Sequence, residues 1–126
     1  MFSHVMLGAN DMDASKAFYD AIMATLGVSV GTTDDKGRVF YMTKTGVFAL
    51  SKPINGEPAC GANGGTIGFR VETEAMGDAW HAAGLANGGT DCEDPPGIRE
   101  GAKGTLYLAY LRDPAGNKIC ALKRMG

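Results

Sequence analysis

Short runs of alternating apolar and polar residues, separated by turn-forming stretches, make up most of the chain. This alternation is typical of β-strands, because successive strand side chains point to opposite faces of a sheet. Glycine is abundant, at 19 residues, which fits many tight turns between short strands. Strands are predicted at 2–8, 28–32, 38–43, 47–52, 65–71, 105–113 and 117–124, and the stretch at 90–104 is a long loop that could contain one further brief strand.

Two segments instead have apolar residues three and four positions apart, the spacing of one buried helix face. The first helix is predicted at 14–26, with a carboxylate of Asp11 or Asp13 as its cap. The second begins at Thr73 or Glu74 and ends at the NGG stretch. His81 lies off its apolar face and is expected at the surface.

The order strand, helix, three strands therefore occurs twice. Aligning His4 with Thr66, and FALSK (48–52) with CALKR (120–124), superimposes the halves, although two generic α+β halves could also match by chance. The repeat predicts an α+β fold of two tandem βαβββ modules, which form a curved eight-stranded mixed sheet with a central cleft and the helices outside. The predicted boundaries are a single domain at 1–126, module one at 1–53, a linker at 54–64 and module two at 65–126.

Composition narrows the possible partners and locations. The net charge is −2, from 12 basic and 14 acidic residues with no basic stripe, so we expect no nucleic-acid partner. No apolar run is long enough to cross a bilayer, and no secretory signal is visible, so we expect no membrane partner. The three cysteines are widely spaced without a CxxC pair, which favours reduced thiols in a cytoplasmic protein.

Strand alternation identifies side chains that should face the cleft. If Val5 and Leu7 meet the helices, their neighbours point the other way, and the same argument applies to the strands at 65–71 and 117–124. By the repeat, Phe48 and Leu50 of FALSK should face the cleft as well. The alternation does not decide which face Tyr107 and Tyr110 point to. Arg99 is expected in a loop near the mouth of the cleft. The candidate pocket-lining residues are His4, Met6, Phe48, Leu50, Thr66, Arg70, Tyr107, Tyr110, Cys120 and Leu122.

Two stretches, HVMLGANDMDASKAFYDAIMATLGV (4–28) and YLRDPAGNKICAL (110–122), resemble the glyoxalase/bleomycin-resistance/extradiol-dioxygenase superfamily, also called vicinal oxygen chelate proteins. The resemblance implies paired βαβββ modules and a homodimer. In metal-using members the ligands are a His on the first strand, a His on the fifth and a Glu on the last. Carried over to this chain, His4 matches the first ligand, Thr66 and Cys120 stand at the other two places, and Phe48 occupies a fourth.

The resemblance and this altered ligand set together predict a glyoxalase-like protein that binds an organic small molecule in the cleft without a metal cofactor. No catalytic residue is predicted, and whether the chain is an enzyme stays open. The alternative is a metal-dependent lyase, isomerase or dioxygenase, similar to lactoylglutathione lyase, in which His4 and Cys120 hold a divalent ion such as zinc. His4 could otherwise be a pocket wall and Cys120 an inert thiol, and Arg70 could pair with Glu72 or with a ligand carboxylate.

Overall fold

The structure is a computed structural model that describes all 126 residues. It contains two helices and nine strands in two mixed sheets, so the predicted α+β class is confirmed. The elements are β1 (His4–Gly8), α1 (Met12–Thr25), β2 (Thr32–Thr33), β3 (Val39–Met42), β4 (Val47–Ser51), β5 (Ile67–Arg70), α2 (Glu74–Ala86), β6 (Thr90–Asp91), β7 (Gly97–Gly101), β8 (Gly104–Arg112) and β9 (Lys118–Arg124).

The two halves repeat one topology. The first sheet has the order β1-β4-β3-β2, and the second has the order β5-β9-β8-β6, with β7 also paired to β8. In both sheets the first strand of the half runs parallel to its last strand. The additional strand comes from the stretch at 90–101, which forms two short strands, and the sheets are not joined by strand pairing.

The strand predicted at 28–32 is mostly absent, because its backbone groups bond to α1. The Val28 N–H donates to the Met23 carbonyl at 3.0 Å, and the Gly31 N–H donates to Asp20 Oδ1 at 2.9 Å. Only Thr32 and Thr33 are left to pair with β3. Local hydrogen bonds to α1 therefore replace the ladder that the alternation indicated.

Both helix starts use side-chain caps. Asp11, rather than Asp13, accepts the Ala14 N–H at 3.0 Å, and the Thr73 hydroxyl accepts the Met76 N–H at the same distance. Each cap satisfies a backbone donor that the first helical turn leaves without a partner. Neither helix is long and apolar enough to cross a membrane.

One hydrophobic core joins the two halves. A row of aromatic rings runs from Tyr19 to Phe48, Phe69 and Trp80, with successive ring centroids 4.7, 5.4 and 6.3 Å apart. The helices come together at Gly84 of α2, where a Cβ would lie 3.2 Å from Phe18 Cε1 and 3.4 Å from Ile22 Cγ2 of α1. The segment between β4 and β5 contains no helix or strand, and the exact module and linker boundaries stay predictions.

The expectation that His81 lies at the surface is wrong. His81 is only 9% exposed, and its Nε2 lies 3.0 Å from Asp91 Oδ1. The imidazole therefore links α2 to β6. The helical spacing placed His81 wrongly because the residue borders the apolar face of α2 and is covered by β6, a two-residue strand in the stretch predicted as a long loop with at most one brief strand.

The carboxylate of Asp113, in the turn between β8 and β9, connects both halves of the molecule. Oδ1 accepts the N–H groups of Ala115 and Asn117 at 2.9 Å, and Oδ2 accepts the Tyr19 hydroxyl at 2.6 Å and Asn117 Nδ2 at 2.9 Å. Asn117 Nδ2 also donates to the Gly8 carbonyl of β1. Burial, reinforced by the Asp113 charge, raises the pKa of Tyr19 and keeps its hydroxyl protonated as a donor.

We predict that Tyr19→Phe lowers the free energy of unfolding by about 1–3 kcal/mol, because it leaves a buried carboxylate oxygen short of one donor. Urea denaturation measures the change. Tyr110→Phe is the matched control, since no hydrogen bond is made by that hydroxyl, and it should change the free energy by less than about 0.5 kcal/mol. Equal effects of the two substitutions would contradict this role for Asp113.

Candidate ligand-binding cleft

Strand register decides which side chains leave the core. Residues paired across a sheet point to the same face, and β1 pairs with β4 so that Val5 lies beside Phe48 and Leu7 beside Leu50. Phe48 and Leu50 therefore point to the core and away from the face of Cys120, which corrects their predicted orientation, although Phe48 still lines a cavity from the core side. The alignment was shifted by one residue, since Phe48 corresponds to Ile119, and a shift of one residue exchanges the two faces.

The two candidate tyrosines lie on opposite faces of β8. Tyr107 is buried on the core side, where its hydroxyl donates to Asp78 Oδ1 at 2.7 Å, so its placement in the cleft is wrong. Its ring fills the space beside Gly77, whose missing Cβ would lie 2.2 Å from it. Tyr110 pairs with Cys120 and shares its open face.

An open cavity of about 600 Å³ lies between β1 and β4 of the first sheet and β5 of the second. Its inner wall is aromatic, with Tyr41, Phe48 and Phe69, so Phe48 does line it from the core side. His4 and Arg70 are the basic side chains in its lining. The arrangement suits a ligand with an apolar body.

His4, Arg70 and Thr66 are all exposed. The Nδ1 of His4 lies 2.8 Å from the Ser3 hydroxyl. Arg70 is 4.0 Å from Glu72, with both side chains more than two-thirds exposed, so water solvates this pair and it contributes little to stability. Thr66 does not line the cavity.

Cys120 is 5% exposed and packs against the backbone of β5. A Cβ placed on Gly68, its strand partner, would lie 3.2 Å from the Cys120 sulfur. Burial raises the pKa of the Cys120 thiol to about 11 and outweighs the opposing effect of Lys118. The group is therefore a neutral thiol at physiological pH. All three cysteines are free.

Two other candidates lie at neighbouring grooves. Leu122 lines a groove of about 560 Å³ with Gly68 and Arg70, along the edge of β5. Met6 lines a groove of about 750 Å³ under the segment that connects the modules.

Arg99 was expected in a loop but lies in β7, where its guanidinium donates to the Asp94 and Pro95 carbonyls at 3.1 and 2.9 Å.

The residues at the metal-ligand places do not fit a divalent ion. No group of three His, Cys, Asp or Glu side chains comes together anywhere in the chain. Val47 and Ala49 are the side chains that β4 presents on the face of His4 and Met6, and neither has a donor atom. A firmly held ion needs about three protein ligands, so His4 and the neutral Cys120 thiol are too few.

Two charged residues on the open face of the second sheet, outside the cavity, were not among the predicted site residues. Lys118 donates to the Glu93 carboxylate, and its ammonium lies 4.9 Å from the centroid of the Tyr110 ring. Alternation could have identified Lys118, which is two residues before Cys120 and so on the same face. Glu93 lies in the loop after β6, where no periodic signal exists.

Comparison with known proteins identifies the family of the chain. The family model for the Glyoxalase/Bleomycin resistance protein/Dioxygenase superfamily matches residues 1–121. The chain belongs to this superfamily. The resemblance found in the sequence is thereby confirmed, and so is the paired-module fold that it implied.

Solved members of the superfamily share the fold at several levels of identity. The crystal structure of a glyoxalase/bleomycin resistance protein from Albidiferax ferrireducens T118 is 58% identical, with a TM-score of 0.95 over 98% of this chain and 99% of that one. A lactoylglutathione lyase from Agrobacterium tumefaciens is 27% identical, with a TM-score of 0.64 over 97% and 92%. A glyoxalase/bleomycin resistance protein/dioxygenase family enzyme from Burkholderia phytofirmans PsJN has a TM-score of 0.73 at 18% identity, over 98% of each chain. A search among curated proteins finds no match.

We predict that iodoacetamide at pH 8 modifies Cys60, which is exposed, at least about 100-fold faster than Cys120, because only the thiolate reacts and Cys120 is both buried and protonated. The Cys120 rate should rise about tenfold per pH unit up to about pH 11. Peptide mass mapping over time measures both rates. Comparable rates at pH 8 would show that Cys120 is a reactive thiolate.

Proposed function

We propose that this superfamily member binds an organic small molecule in the cavity between its two sheets, without a metal ion. The observation that carries the proposal is the aromatic wall of Tyr41, Phe48 and Phe69 at the base of a cavity of about 600 Å³. Such a volume suits a ligand of modest size, and an apolar wall favours its non-polar part. The similarity to a glyoxalase/bleomycin resistance protein agrees with this proposal.

The ligand set supports metal-free binding over metal-dependent catalysis. A Lewis-acid mechanism needs a held ion that polarises a substrate oxygen. Here Thr66 offers only a hydroxyl, Cys120 is a protonated thiol, and β4 offers Val47 and Ala49. The alternative, a lyase, isomerase or dioxygenase like the lactoylglutathione lyase that the chain resembles, would need His4 and Cys120 to hold zinc between them.

We also propose that the protein acts as a homodimer in the cytoplasm. Met6 and Met42 are 41% and 66% exposed on the open face of the first sheet, which supports coverage by a second copy. The three free thiols support a reducing compartment. Sedimentation equilibrium that gives the mass of a single chain would contradict the dimer.

The neutral dye N-phenyl-1-naphthylamine is a suitable probe of the cavity. We predict that the protein increases its fluorescence, that EDTA does not change the binding, and that Val47→Trp weakens binding at least about fivefold by filling the mouth. Val30→Trp is the matched control, since Val30 is 66% exposed outside the cavity. Loss of binding in EDTA, or equal effects of the two substitutions, would contradict the proposal.

We predict that the protein, dialysed with zinc and then against zinc-free buffer, retains much less than one zinc ion per chain by elemental analysis. The reason is that only His4 and the Cys120 thiol are available as ligands. Stoichiometric zinc that is lost in both His4→Ala and Cys120→Ala would favour the metal-dependent alternative.

A further inference from the structure

The open face of the second sheet is cationic, although the chain as a whole is acidic. Residues that pair across strands share a face, and Lys118, Cys120 and Leu122 alternate on the open side of β9. Their partners and neighbours on this face place five cations there in a chain of net charge −2. These cations are Arg70, Arg99, Arg112, Lys118 and Arg124.

Lys118 is the one of these five cations that contacts an aromatic ring. Its side chain is 23% exposed, and its ammonium lies 4.9 Å from the centroid of the Tyr110 ring. This cation–π contact does not depend on any acid, so it holds the ammonium in place whether or not an anion is bound. The Cys120 thiol, which is uncharged at neutral pH, lies two residues further along the same strand face.

The Lys118 ammonium already pairs with an anion of the protein itself, the Glu93 carboxylate. The Glu93 carboxylate accepts a hydrogen bond from Lys118, and its side chain is 45% exposed. Glu93 is the only residue other than glycine with a positive φ, at 60°. A left-handed conformation is unfavourable for a glutamate, so the contact with Lys118 offsets a backbone cost.

Arg99 holds the loop beside Glu93 in a way that leaves the Glu93 side chain free to move. Its guanidinium bonds the backbone carbonyls of Asp94 and Pro95, the two residues after Glu93, and not the Glu93 carboxylate. The loop can therefore stay attached to β7 while the glutamate side chain turns out to solvent. Only the ion pair with Lys118 would have to break.

We propose that Lys118 binds the carboxylate of an organic ligand, and that Glu93 is an internal substitute which the ligand displaces. The apolar part of the ligand would lie over Tyr110 and Leu122, towards Gly68, which also borders the cavity between the sheets. This inference rests on the proposed function and specifies its ligand class as small organic carboxylates.

The competing explanation is an ion pair that only stabilises the loop. Under that explanation, removing either partner disturbs the same loop, and the two substitutions have effects of the same sign on any ligand. Displacement predicts opposite signs. Loss of Glu93 removes a competitor, whereas loss of Lys118 removes the binding group.

Isothermal titration calorimetry with benzoate, and with benzamide as its neutral analogue, separates the two explanations. The variants are Glu93→Gln and Lys118→Met, with Lys123→Met as the matched control, because Lys123 is on the same strand but on the opposite face. We expect Glu93→Gln to bind benzoate about three- to fivefold more tightly than the unmodified protein, and Lys118→Met at least about fivefold more weakly. Lys123→Met should differ by less than about twofold, and benzamide should not distinguish the variants.

Benzoate affinities that change in the same direction in Glu93→Gln and Lys118→Met would overturn the inference. So would the absence of benzoate binding to both the unmodified protein and Glu93→Gln up to about 10 mM. Neither result affects binding of the neutral dye, which tests the cavity independently. Circular dichroism of each variant confirms that a weaker affinity does not come from unfolding.

Discussion

The Asp113 carboxylate and its four hydrogen bonds determine how the two halves of the molecule are joined. A buried carboxylate is unfavourable unless its oxygens accept hydrogen bonds. The Asp113 residue is 4% exposed, and each of its carboxylate oxygens accepts two hydrogen bonds. Two of the donors close the turn between β8 and β9. A third, the Tyr19 hydroxyl, comes from α1, and Asn117 extends the network to β1. The second sheet is thereby fixed to the helix and first strand of the first half.

The cavity is a consequence of this connection. The turn that carries Asp113 precedes β9, and β9 positions β5 through its parallel ladder. Because α1 and β1 are held by the same network, the gap between β1 and β5 has a defined width. The aromatic row from Tyr19 to Trp80 then fills the space beneath it, and the cavity ends on Phe48 and Phe69.

Much of this arrangement could be predicted from the sequence, and the failures have clear physical reasons. The caps at Asp11 and Thr73 and the turn at Asp113 have strong local signals, and clean alternation placed Cys120 on the open face. In β4 the alternation fails, because Val47, Phe48, Ala49 and Leu50 are all apolar and either register looks equally good. Only the pairing of β4 with β1 decides which of the two registers forms. Glu93 and the His81–Asp91 contact depend on a loop and a two-residue strand that carry no periodicity.

The open faces of the two sheets carry too few metal ligands to hold an ion, but they carry several cations. The central claim is therefore that a protein ammonium group, rather than a bound metal ion, recognises the polar end of the ligand. A crystal structure of the protein grown with both benzoate and zinc tests this claim directly. The account predicts the benzoate carboxylate on Lys118 Nζ, with Glu93 turned to solvent and no zinc at His4. Zinc coordinated by His4 and Cys120, with the benzoate carboxylate bound to that zinc, would contradict it.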